Sequence, residues 1–222
     1  MTMYRHKMPI SKKYRSIFIH IPKNAGESIE KTLGMYRGNP EETLWGVVDN
    51  RIVLQHLSAE RLRDNYIDEF MWKEYLKFSV VRNPWSKAVS EYHWYLRFGP
   101  AITFSEWVGS LSDRLRINEM INVLEIGHNV RQNEFLCDQQ GNLLVDKVLR
   151  FEDLSSDFCL LSEERNWGVS LMHDKATKST PLKDFRSFYT QETAQKICDI
   201  YSKDISLFGY SMNETFSGFD LP

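Results

Sequence analysis

Residues 17–28 read IFIHIPKNAGES. Ile17, Phe18, Ile19 and Ile21 form the short apolar run expected of a buried strand, and Pro22 ends it. Lys23, Asn24, Ala25 and Gly26 follow as a loop of small and polar residues. From Ser28 to Tyr36 the pattern becomes helical, with Ile29, Thr32, Leu33 and Tyr36 sharing a face, and Gly38, Asn39 and Pro40 stop it. A strand, a small-residue loop and a helix N-terminus make an anion site, because the first backbone N–H groups and the positive end of the helix dipole point into the loop. Lys23 adds a full charge. The alternative is an ordinary strand-turn-helix with a surface lysine. The loop is no standard nucleotide-triphosphate loop: the lysine precedes the glycine, and no Lys-Ser or Lys-Thr pair follows Gly26.

Working outward, Arg51–Gln55 (RIVLQ) reads as a second strand with His56 just beyond it, and Leu76–Arg82 (LKFSVVR) as a third. Ser58 caps a helix over 59–66. Asn83 and Pro84 open another, with Trp85, Val89, Tyr92 and Leu96 as its apolar face, ending at Gly99 and Pro100. The β-α-β-α-β order predicts an α/β fold: a single domain with a central parallel sheet flanked by helices. Ligands of such sheets bind beyond the carboxyl ends of the strands. Lys23, His56 and Arg82 all fall there, which favours the anion site. Residues 101–137 read as broken helix, with pieces at 104–111, 120–126 and 130–136. Leu143–Phe151 reads as paired short strands, 157–166 as a helix, 173–184 as a polar loop, and 191–207 as one amphipathic helix.

The 222 residues suit one domain, 16–222, behind a basic arm at 1–15. A net charge of −2 gives no general attraction to nucleic acid or anionic membrane. Cys137, Cys159 and Cys198 are scattered and form no C-x-x-C pair, so neither a metal site nor a disulfide framework is expected, and a cytoplasmic location with reduced thiols is. No apolar run approaches the ~20 residues of a membrane span. Oligomeric state is not legible.

Arg82 is followed eight residues later by Ser90, roughly 9 Å along the next helix, with Ser86 on the same face. An arginine at a strand end and serines on the following helix can clamp a phosphate; an arginine capping local carbonyls is the alternative. The two sites together are more specific than either. IHIPKNAGES resembles the 5′-phosphosulfate loop of sulfotransferases, in the carbohydrate branch that includes heparan sulfate 2-O-sulfotransferase, and VVRNPWSKAVSEYHW resembles their 3′-phosphate motif. QHLSAERL, VDKVLRFEDLSSDF, HDKATKST and YSKDISLFGYS resemble further family segments, so the likeness runs over residues 16–211.

The resemblance implies a P-loop-like sulfotransferase fold and transfer of a sulfuryl group from 3′-phosphoadenosine 5′-phosphosulfate to an acceptor hydroxyl, with a carbohydrate as the expected acceptor and no metal. It places Lys23 on the bridging oxygen. Asn24, Ala25, Gly26, Glu27 and Ser28 hold the 5′ end, and Arg82 and Ser90 the 3′-phosphate. Lys175 and Thr177 close over the nucleotide. Glu27 stands where a small or hydroxyl residue is usual, and Lys175 where Asn or Arg is common. His56 is the candidate base; without the resemblance, a hydrogen-bonded histidine at a strand end is the simpler reading. Glu27 and Glu91 are fallback bases. The competing readings are a small-molecule kinase, for which Mg²⁺ ligands and a Lys-Ser/Thr pair are missing, and a non-catalytic nucleotide-binding protein, which has no use for Lys23 and His56 together.

Overall fold

The computed structural model describes residues 10–35, 47–48, 52–120, 130–172 and 184–222, and in it the apolar run that opens at Ile17 is a buried strand. The strands are β1 (Ile10–Ser11), β2 (Ser16–Ile19), the short pair β3 (Val47–Val48) and β4 (Ile52–Val53), β5 (Leu76–Val81) and β6 (Lys147–Arg150). The central sheet has the order β1-β2-β5-β6. β1 is antiparallel; β2, β5 and β6 are parallel, with Phe18 opposite Phe78 and Val81 opposite Arg150. All six positions of β5 are buried, as expected of a strand covered on both faces.

Helix α1 (Gly26–Thr32) follows β2; α2 (Ala59–Asn65) and α3 (Glu69–Glu74) precede β5; α4 (Pro84–Tyr95) follows it. Then come α5 (Phe104–Gly109), α6 (Leu111–Met120), α7 (Gln132–Leu136), α8 (Leu154–Glu164), α9 (Gln191–Ile200), α10 (Ser202–Phe208) and α11 (Met212–Thr215). Ser58 accepts from Arg61 N, Asp68 from Met71 N, and Asn83 from Trp85 N and Ser86 N. Each such cap is worth about 1 kcal/mol.

Helix α4 is held rigidly. Trp85 is fully buried, donates its indole N–H to Ala194 O at 2.9 Å, and accepts at its own carbonyl from Tyr189 Oη at 2.8 Å. Lys87 and Glu91, one turn apart, form an ion pair at 3.0 Å with both side chains buried. Helix α4 is therefore fixed against α9 and the residue that leads into it.

Four expectations change. The segment at 51–55 contributes no strand to the central sheet: β4 pairs antiparallel with β3, and residues Leu54–His56 turn into a 3-10 helix. Both edges of β2 are already taken, by β1 and β5, so no place beside it remains. Ile10 and Ser11, read as part of the arm, are buried in the sheet; residues 1–9 lie outside the described residues. The stretch 143–151 is not a hairpin, because β6 pairs with β5 and only Leu143 bridges back, to Cys137. The long helix at 191–207 is two, broken at Tyr201, whose backbone leaves the helical region at φ −106° and ψ 24°.

Candidate active site

Parallel pairing brings the carboxyl ends of β2 and β5 side by side, and the loop after β2 meets the arginine after β5. The loop backbone passes through left-handed conformations at Lys23 (φ 69°) and Ala25 (φ 60°). Such alternation turns successive N–H groups toward one concavity. Helix α1 starts at Gly26 with no side-chain cap. Asn24 anchors the loop from below, its Nδ2 donating to Val80 O and to Gln132 Oε1, both at 2.8 Å. Gly26 is required by packing: a Cβ there would lie 2.1 Å from Nε2 of His20.

Lys23 is half-buried, with Nζ 4.7 Å from the centre of the Trp94 ring. Burial lowers its pKa; the charge of Glu91 opposes this, while Arg82 and Lys87 add to it. Arg82 lies with its guanidinium 4.0 Å over the Phe151 ring. Its Nε donates to Ser86 Oγ and its Nη1 to Lys23 O, each at 2.9 Å. These bonds use two of the five guanidinium N–H donors. Burial pulls its pKa down to about 10, so it remains a cation at neutral pH.

The third cluster is built from histidines. His20, just past β2, is buried and has Nδ1 2.7 Å from Glu30 Oε1. His56 has Nδ1 3.1 Å from His20 O, and the two rings meet edge to face at 4.5 Å. A carbonyl only accepts, so His56 carries its proton on Nδ1 and, when neutral, its lone pair on Nε2. Burial pushes the Glu30 carboxyl up to about 7, against the opposing effects of a hydrogen bond from Gln55 and the charge of His56.

The structure thus brings Lys23, Asn24, Ala25, Gly26 and Arg82 together, with Glu27 exposed and Ser28 half-buried in the first turn of α1. Arg82 bonds Ser86, and Ser90 follows one turn later on the same helix. His56 ends a 3-10 turn rather than following a sheet strand, yet reaches the loop through His20. Glu91 is committed to Lys87, which removes it as a fallback base. Lys175 and Thr177 lie outside the described residues. Sequence reasoning missed Glu30, Gln132, Trp94 and Phe151. Trp94 was findable, since it continues the Ser86, Ser90 spacing by one more turn; Gln132 carried no local signal.

The sulfotransferase family model matches residues 6–211, most of the chain, and the protein belongs to that family. It is a sulfotransferase, which sets aside the kinase and the non-catalytic readings. No curated protein and no solved structure gives a significant match to it.

Proposed function

We propose that this sulfotransferase takes its sulfuryl group from 3′-phosphoadenosine 5′-phosphosulfate and delivers it to a hydroxyl of a carbohydrate, in the cytoplasm and without a metal. The observation that carries the donor is the bond from Arg82 Nη1 to Lys23 O, which joins the lysine loop and the arginine into one cationic unit. The donor set fits such a ligand: an ammonium, loop N–H groups, a stacked guanidinium with donors to spare, and hydroxyls at Ser28, Ser86 and Ser90. Lys23 serves the bridging oxygen, on which charge grows as the leaving phosphate departs. The loop N–H groups and Ser28 hold the 5′ end. Arg82 and Ser90 take the 3′-phosphate; Lys175 and Thr177 close over the nucleotide.

His56 is the base. Its lone pair on Nε2 takes the acceptor proton while Nδ1–H stays on His20 O, so the ring is oriented throughout the transfer. The sugar acceptor rests on the resemblance to carbohydrate sulfotransferases. Two measurements test the reading. Calorimetry should show much tighter binding of adenosine 3′,5′-bisphosphate than of 5′-AMP, and equal affinities would remove the 3′-phosphate subsite. Turnover on a panel of glycans and small alcohols, unaffected by EDTA, should identify a sugar hydroxyl; transfer only to non-sugar alcohols would remove the carbohydrate.

A further inference from the structure

Glu30 has no place in the chemistry just described, yet it is the most deeply engaged carboxylate near the histidines. It is 3% exposed, in the middle of α1. Burying an ionisable group so far from water is costly unless both oxygens find partners. Here both do. Oε1 meets His20 Nδ1 at 2.7 Å, and Oε2 accepts from Gln55 Nε2 at 2.8 Å. Gln55 is the residue before His56 in the same 3-10 turn. One carboxylate therefore grips both neighbours of the candidate base: the histidine whose carbonyl receives its Nδ1–H, and the side chain next to it in sequence. The titratable groups facing this carboxylate are His20, from the end of β2, and His56, from the 3-10 turn; Glu27 and Lys31 are on its own helix.

We propose that Glu30 is a positioning residue for the base: through His20 and Gln55 it holds His56 in the Nδ1–H tautomer and, when ionised, stabilises the imidazolium that forms. This rests on the sulfotransferase reading of His56 given above. When Nε2 of His56 takes the acceptor proton, both ring nitrogens carry hydrogen and the ring gains a positive charge. The carboxylate offsets that charge without touching the acceptor or accepting the proton. Interaction between the two groups is mutual: a cationic His56 favours the ionised form of Glu30, and an ionised Glu30 favours the imidazolium. His20 transmits the grip, and its ring fills the space beneath Gly26, which ties the base to the floor of the phosphosulfate loop.

The test needs no acceptor. Full-length chain labelled with ¹⁵N at histidine is titrated by long-range ¹H–¹⁵N spectroscopy, which reads the tautomer and pKa of each ring. In the wild type His56 should be the Nδ1–H tautomer when neutral. In Glu30→Gln, which keeps the size but loses the charge, its pKa should fall by about half a unit or more. An unchanged His56 pKa in folded Glu30→Gln, or the opposite tautomer in the wild type, overturns the proposal. Should Glu30→Gln fail to fold, the wild type decides alone: His56 must titrate in two steps, one following the Glu30 carboxyl observed by ¹³C, and a single independent step overturns it. Calorimetry with adenosine 3′,5′-bisphosphate on the same samples separates the two claims. Binding with an unmoved His56 removes the role of Glu30 only; no binding removes the donor site, whatever the histidine spectrum shows.

Discussion

Arg82 donates from Nη1 to the carbonyl oxygen of Lys23 at 2.9 Å, so the side chain assigned to the 3′-phosphate also fixes the loop assigned to the 5′ end. In the proposed complex the two ends of the nucleotide are therefore not read independently. Arg82→Ala should weaken adenosine 3′,5′-bisphosphate by about 1.5–3 kcal/mol, the value of a charge-assisted contact, and should erase most of the preference over 5′-AMP. Arg82→Lys keeps the charge but loses the fork and much of the stacking on Phe151, and should recover only part of the affinity. Calorimetry on the three proteins checks this; full recovery by lysine would reduce Arg82 to a point charge.

Lys23 should matter more to turnover than to binding. In the proposed reaction the bridging oxygen is most negative in the transition state, so a lysine contact to it is strongest there. Lys23→Ala should therefore lower kcat by a larger factor than it raises the dissociation constant for adenosine 3′,5′-bisphosphate. A variant with normal kcat and poor affinity would make the lysine a simple clamp.

The proposed role of His56 as base requires the neutral form. The kcat/KM profile should rise with pH and level off once the histidine is deprotonated, and Glu30→Gln should move that limb to lower pH. His56→Ala should cost about 10²–10⁴-fold in rate with little change in nucleotide affinity, and His56→Asn should not rescue it, since an amide takes no proton. If the acidic limb survives in His56→Ala, the histidine is structural and Glu27 is the remaining carboxylate candidate.

The packing of His20 beneath the loop gives a stability test. Gly26→Ala places a methyl group within about 2–2.5 Å of three ring atoms of His20, which must move. Overpacking of this kind costs about 1–3 kcal/mol. His20→Ala costs stability in its own right, because it takes a partner from buried Glu30, but in that background the further cost of Gly26→Ala in urea unfolding should be small, while activity stays low. An additive loss in the double variant would show that the clash is not the cause.

Asp204 is buried and accepts from Gln132 N and Asn133 N, each at 2.8 Å. Burial pushes its carboxyl up to about 6. The folded state thus holds a proton that the unfolded chain has released between about pH 4 and 6, so this group's contribution to stability falls as pH rises through that window. At about 1.4 kcal/mol per unit the change is on the order of 3 kcal/mol. Glu30 acts with the same sign up to about pH 7. Unfolding free energies of the wild type should decline from pH 5 to pH 7, and Asp204→Asn should flatten the decline; an equal slope in both would place the titration elsewhere.

The strand-loop-helix turn at 17–28, the capped helix behind Pro84 and the arginine at the end of β5 were legible because each is a local pattern: an apolar run, small residues, a cap, a spacing. What failed was pairing. Ile52 and Val53 are as β-prone as Ile17 and Phe18, but strand choice depends on which sheet edges are open, and β1 had closed the one beside β2. His56 stands beside the loop for a reason other than the one the sequence suggests: it comes to it through the carbonyl of His20, not through a shared sheet. The break at Tyr201 was hidden because the apolar stripe continues across it. Gln132 escaped altogether, since its bonds to Asn24 and Arg82 span 108 and 50 residues.

That reach has a consequence for how the protein is made. Asn24 under the loop is held by Gln132, whose backbone is held in turn by Asp204, links that span 108 and 72 residues. During synthesis, in which N-terminal segments emerge first, the loop exists long before the carboxylate that completes its support. Loop closures of that length are slow compared with helix formation. The nascent chain should therefore hold the residues of the loop long before it can bind the proposed nucleotide, and should gain that capacity in one late event, when α10 brings Asp204 to the start of α7.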